Sequence, residues 1–96
     1  MTDRIRTRHP QGKRGVNIKR HTYDAVRGAI VEALREEGEI AFRDFAQSVE
    51  QRLDGGFEGS VGWYVTTVKL DLEARGIVER VPDKSPQYLR LVGSSA

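Results

Sequence analysis

Three stretches of this chain repeat apolar residues at three- and four-residue spacing, and glycine punctuates them. That pattern limits the fold more than any other feature. Each stretch reads as a helix with one apolar stripe, and each stripe needs the others to bury it. The first holds Tyr23, Val26, Ile30, Ala33 and Leu34 and stops at Gly38; Arg27, Glu32, Arg35 and Glu36 occupy its opposite face. Thr22 is its expected cap, with Asp24 in the first turn. The second runs near 43–53 with Phe42, Phe45, Ala46, Val49 and Leu53 on one face. Neither Ala41 nor Phe42 offers a side-chain acceptor, so packing must hold its start. The third begins at Ser60, a capping residue. It carries Val61, Val65, Val68 and Leu72 and ends at Gly76.

The connections are equally legible. Glu39 to Phe42 is a short extended link, and Asp54 to Gly59 is a turn with three glycines. Ile77 to Val81 reads as a strand, Pro82 to Pro86 as a turn, and Gln87 to Val92 as a returning strand. With 96 residues there is room for one domain, in which every element must serve the same core. The expected class is α+β: a three-helix bundle with a C-terminal two-stranded hairpin over 16–92, and a disordered polar tail over 93–96. Helix, short strand, helix, turn, helix, hairpin is the order of a winged helix-turn-helix.

The charge is unevenly spread. The first twenty residues hold seven basic side chains, Arg4, Arg6, Arg8, Lys13, Arg14, Lys19 and Arg20, against Asp3 alone. The remainder holds nine basic and thirteen acidic residues. The stretch 1–15 also contains Pro10, Gly12 and Gly15 and almost no large apolar side chain. It is expected to be a flexible basic arm, because it buries too little surface to offset its ordering entropy. Arg4, Arg6 and Arg8 alternate with Ile5 and Thr7, which leaves an edge strand open as the lesser expectation.

Several classes are excluded on composition and motif. Cysteine is absent, which removes disulfides, thiolate metal sites and cysteine nucleophiles and fits a reducing cytoplasm. No run approaches eighteen apolar residues, and the charged N-terminus leads into no apolar run, so neither a membrane span nor a secretory signal is expected. His9 and His21 lack metal-ligand spacing. Ser48 and Ser60 lack the frame of a nucleophile elbow, and the glycine turn lacks the lysine and hydroxyl of a phosphate-binding loop. The expectation is a protein with no catalytic residues, no metal, no cofactor and no small-molecule ligand.

From Ser60 to Leu91, SVGWYVTTVKLDLEARGIVERVPDKSPQYLRL resembles the recognition helix and wing of bacterial winged-helix transcription regulators. The most specific piece is Leu72-Glu73-Ala74-Arg75-Gly76-Ile77-Val78-Glu79-Arg80. Over 13–92 the chain is also similar to a family of short, uncharacterised bacterial winged-helix proteins. Gly12-Lys13-Arg14-Gly15-Val16-Asn17-Ile18 and Gly59-Ser60-Val61-Gly62-Trp63-Tyr64-Val65 carry that similarity. No assigned function comes with it. The chain departs from many such regulators at Lys69, where they place a leucine seven residues before the glycine. Val68 is expected to take the packing role, which would turn Lys69 outward.

The resemblance implies a cytoplasmic protein whose partner is double-stranded DNA, with the third helix in the major groove and the wing along the backbone. On the third helix the candidate contacts are Ser60, Gly62, Trp63, Thr66, Thr67 and Lys69. Arg43 and Arg52 on the second helix, and Lys84 with Gln87 and Arg90 on the wing, are candidate backbone contacts. Arg4, Arg6, Arg8, Lys13 and Arg14 in the arm could follow a groove, and RNA is an open alternative for the arm. Against DNA stand an acidic body and a third helix with no arginine before Arg75. A second stripe, Trp63, Thr67, Leu70 and Ala74, supports the alternative: a protein-interaction or homodimerisation module.

Overall fold

The computed structural model describes residues 3–53, 60–83 and 85–93. The first apolar stripe forms helix α1 (Arg20–Glu37), which buries Tyr23, Val26, Ala29, Ile30, Ala33 and Leu34. It starts two residues before the expected Thr22 cap, and no side chain caps it. Gly38 closes it at φ 81, donating its N–H to the Leu34 carbonyl at 2.8 Å. That left-handed backbone is the reason for glycine there. Strand β3 (Glu39–Ala41) leads directly into α2 (Phe42–Glu50), which buries Phe45 and Val49. Helix α3 (Val61–Ala74) follows, and the Ser60 hydroxyl accepts from the Trp63 N–H at 3.2 Å. Strands β4 (Val78–Arg80) and β5 (Tyr88–Leu91) complete the body.

The second sheet has the order β3-β5-β4, antiparallel throughout. The short strand between the first two helices therefore joins the C-terminal hairpin, and Ile40 pairs with Leu89. Val78, Leu89 and Ile40 press inward against the three helices and form one core with Phe45, Val49, Val65, Val68 and Leu72.

The N-terminal segment departs from its expected flexibility. Strand β1 (Arg4–Arg6) pairs antiparallel with β2 (Asn17–Lys19), setting Ile5 opposite Ile18. Ile18 is buried in the main core and Ile5 packs on its edge. Two apolar side chains on one face suffice to seat the hairpin, so the alternation of arginine with Ile5 and Thr7 was the informative signal. The hairpin is locked further by Thr7 N–H to the Val16 carbonyl at 2.8 Å and by Val16 N–H to Thr7 Oγ1 at 2.9 Å. A Cβ on Gly15 would stand 1.7 Å from the Thr7 carbonyl oxygen, so only glycine permits this approach.

Two further expectations change. Phe42 is 46% exposed, and Ala46 is also outside the core. The glycine turn at 54–59, Lys84 and the last three tail residues lie outside the described residues. The molecule is an α+β fold of three helices and two small antiparallel sheets. No described helix is long and apolar enough to cross a membrane.

Candidate nucleic-acid interface

Helix α3 organises the surface in question. Its outward strip carries Gly62, Trp63 and Thr66, all exposed, with Thr67 and Leu70 half-buried at its edges and Ser60 exposed at its start. Trp63 is 47% exposed, and its ring meets that of Tyr64 edge-on at 5.0 Å. Tyr64 is half-buried and packs on the core. The strip is neutral: hydroxyl, aromatic and backbone.

Lys69 does not face outward. It is 2% exposed, and its ammonium lies 4.2 Å from the centre of the Phe42 ring. Val68 is also fully buried, so the helix has not rotated to release its neighbour. Position 69 faces inward, contrary to the outward orientation expected, and a lysine stem fills it. Burial pushes the Lys69 amine below its usual value of 10.5, with Arg80 acting in the same direction and Glu73 opposing. One Glu73 oxygen accepts from Arg80 Nε at 3.1 Å; the other is buried without a hydrogen-bond partner among the described residues.

Asp71 lies on the opposite flank, because two positions on a helix are about 200° apart. It is fully buried and accepts three hydrogen bonds: from the Tyr23 hydroxyl, from Arg75 Nε at 2.8 Å and from the backbone N–H of Arg8 at 2.7 Å. This carboxylate ties the N-terminal hairpin and α1 to α3. Its hydrogen bond and charge push the Arg75 guanidinium further up. Sequence analysis did not single out Asp71. The available signal was Arg75 one turn later, an i, i+4 pair at the margin of an apolar stripe.

The hairpin that Asp71 holds carries the basic residues. Arg4, Arg6, Arg8, Lys13 and Arg14 are all exposed, and none of their side chains has a carboxylate partner among the described residues. Arg4 and Arg6 reach only across the ribbon, to the carbonyls of Asn17 and Gly15 at 3.4 and 3.5 Å. The register places Lys19 beside Arg4 and Asn17 beside Arg6 on this outer face. By contrast, Arg52, proposed from sequence as a backbone contact, is engaged: it meets Glu36 at 3.2 Å and Glu37 at 3.6 Å and donates to the Ser48 carbonyl. Arg90 pairs with Glu79 at 2.7 Å. Arg43 stays exposed, with Asp44 4.0 Å away.

The structure thus sorts the sequence candidates into separate groups. The five hairpin cations stand together. Ser60, Gly62, Trp63, Thr66 and Thr67 form the neutral strip of α3, whose last residue, Ala74, borders the hairpin. Arg43 lies at the start of α2 beside Asp44, Arg52 and Lys69 are committed within the fold, and Lys84 lies outside the described residues. Among the described residues no cluster of three or more His, Asp or Glu could hold a metal ion.

No curated protein and no solved structure matches the chain. One family does match, over residues 4–89, a span that takes in both the basic hairpin and the α3 strip, and the chain belongs to it: DUF6958, a family of unknown function.

Proposed function

We propose that this protein is a winged helix-turn-helix protein that binds double-stranded DNA. The order α1-β3-α2-α3-β4-β5, with β3 joining the hairpin, supports the architecture. The absence of cysteine suits a cytoplasmic setting. The observation that carries the function is the set of unpaired cations: Arg4, Arg6, Arg8, Lys13 and Arg14 on a hairpin anchored to the flank of α3 by Asp71. Phosphate neutralisation supplies most of the affinity in such complexes. Here the hairpin provides it, while the α3 strip of Ser60, Gly62, Trp63 and Thr66 faces a groove without charge of its own. Burial of Lys69 moves the electrostatic contact from α3 to the hairpin.

The test is a titration on duplex DNA at two salt concentrations, comparing the native chain with an Arg4→Gln, Arg6→Gln, Arg8→Gln variant. Loss of three phosphate contacts should lower the slope of log affinity against log salt by about 2.7 and weaken binding at low salt. Equal binding by both, or none by either, removes the proposal.

A second reading rests on a different observation. Phe42 and Trp63 are both nearly half exposed, a pattern suited to protein contact. Solution mass with and without Trp63→Ala separates the two: a dimer dissolved by that change favours association through α3 over groove insertion.

A further inference from the structure

The turn of the N-terminal hairpin does more than present a row of charges. It lies against Ala74 at the C-terminal end of α3 and borders a shallow, wide-open depression of about 720 Å³. Arg6, Arg8, His9, Lys13 and Arg14 line it, and no acidic residue does.

The frame around it is built by specific contacts. Asp71 fixes the backbone of Arg8, Thr7 and Val16 close the neck, and Gly15 allows the two strands to meet. The His9 carbonyl accepts from the Gly12 N–H at 2.9 Å, and His9 Nδ1 accepts from the Gln11 N–H at 3.1 Å. A neutral His9 therefore carries its ring proton on Nε2, as a donor. The backbone N–H groups of Lys13 and Arg14 have no acceptor among the described residues. The site is thus rich in donors before any ligand arrives.

Four cations held around one space repel each other, and their summed positive field attracts an anion. A phosphodiester brings a single charge per unit and continues past the site in both directions. A phosphate monoester brings about −1.5 to −2 at neutral pH, with three acceptor oxygens at a chain end. Arginine forks match those oxygens in pairs. We infer that the depression is a binding site for a compact, multiply charged phosphate group, either the terminal phosphate of a nucleic-acid strand or a free phosphorylated small molecule. Only the first source rests on the DNA-binding reading; the second stands without it.

The experiment uses the full chain at constant ionic strength. Inorganic tripolyphosphate is titrated by calorimetry against sulfate as the control. Short duplexes with 5′-phosphate or 5′-hydroxyl ends are compared by fluorescence anisotropy. Lys13→Ala, Arg14→Ala serves as the variant, because both side chains are exposed and leave the core intact. The expected result is saturable one-to-one binding of tripolyphosphate, at least about tenfold tighter than sulfate and weakened about tenfold in the variant, where tenfold is 1.4 kcal/mol. A 5′-phosphate that strengthens duplex binding by a similar factor identifies a strand end as the source. Tripolyphosphate binding with no effect of the 5′-phosphate identifies a free phosphorylated molecule. If tripolyphosphate only screens charge as sulfate does, and both duplex ends bind alike, the site is overturned. Salt-dependent duplex binding would survive that result, and tripolyphosphate binding would survive a failure to bind duplex.

Discussion

The backbone N–H of Arg8 donates to Asp71 Oδ1 at 2.7 Å across 63 positions of sequence. That single bond joins the most basic segment of the chain to its third helix. Without it the hairpin would rest on Ile5 and Ile18 and on its ion pair from Arg20 to Asp3 at 2.9 Å. The charge that looks unfavourable beside nucleic acid is therefore the one that positions the cations.

Asp71→Asn keeps the shape and an acceptor for Arg8 but removes the charge that Arg75 and Tyr23 address. The expected cost is about 2–3 kcal/mol, below the full figure for a buried pair because Arg75 is partly solvated. Urea midpoints measure the cost. Amide exchange at Thr7, Arg8 and Val16 should rise more than exchange in α1, because the hairpin hangs on this side chain.

Tyr23 gives the protein a pH signature. Burial, followed by its hydrogen bond to Asp71, holds the phenol above its ordinary value of 10.0. In the unfolded chain the phenol ionises from about pH 10 upward, while in the folded protein it keeps its proton. The folded state then binds more protons, so this residue's contribution to stability is complete below pH 10 and falls above it. Tyr23→Phe should lose about 1–3 kcal/mol at neutral pH through the missing hydrogen bond to a carboxylate. The gap between variant and native chain should narrow as pH rises past 10 in denaturant titrations.

Lys69 predicts the opposite slope. Its amine lies below 10.5 when folded, so its surroundings disfavour the charge. Between that lowered value and 10.5 the unfolded chain binds more protons, and stability rises with pH. Lys69→Met fills the same space without charge. It should stabilise the protein by about 1 kcal/mol at neutral pH, with the gain fading toward pH 10.5. DNA affinity should not change, because the buried amine reaches no ligand; a clear loss would return Lys69 to the interface.

Gly15→Ala tests the hairpin without touching any charge. The added methyl would collide with the Thr7 carbonyl, at a cost of about 1–3 kcal/mol confined to the hairpin. Circular dichroism of the helices should be unchanged, and affinity for DNA and for tripolyphosphate should fall together. Full retention of both would show that the cations act without the hairpin geometry.

Sequence periodicity determined the helices, the C-terminal hairpin and most of the core, since Val26, Ile30, Leu34, Phe45, Val49, Val65, Val68 and Leu72 are all inside. Periodicity is a local property: an apolar stripe marks its own buried face whatever covers it. Only the tertiary structure decided the flanks of those stripes. Lys69 and Asp71 are both polar, and both became interior because another element closed over them, α2 with Phe42 on one side and the N-terminal hairpin with Arg8 on the other. Composition likewise marked the first fifteen residues as unable to bury much surface. Residues 3–15 are held in place because Ile5 reaches a core built by residues far along the chain, and because the Arg8 N–H donates to a buried carboxylate.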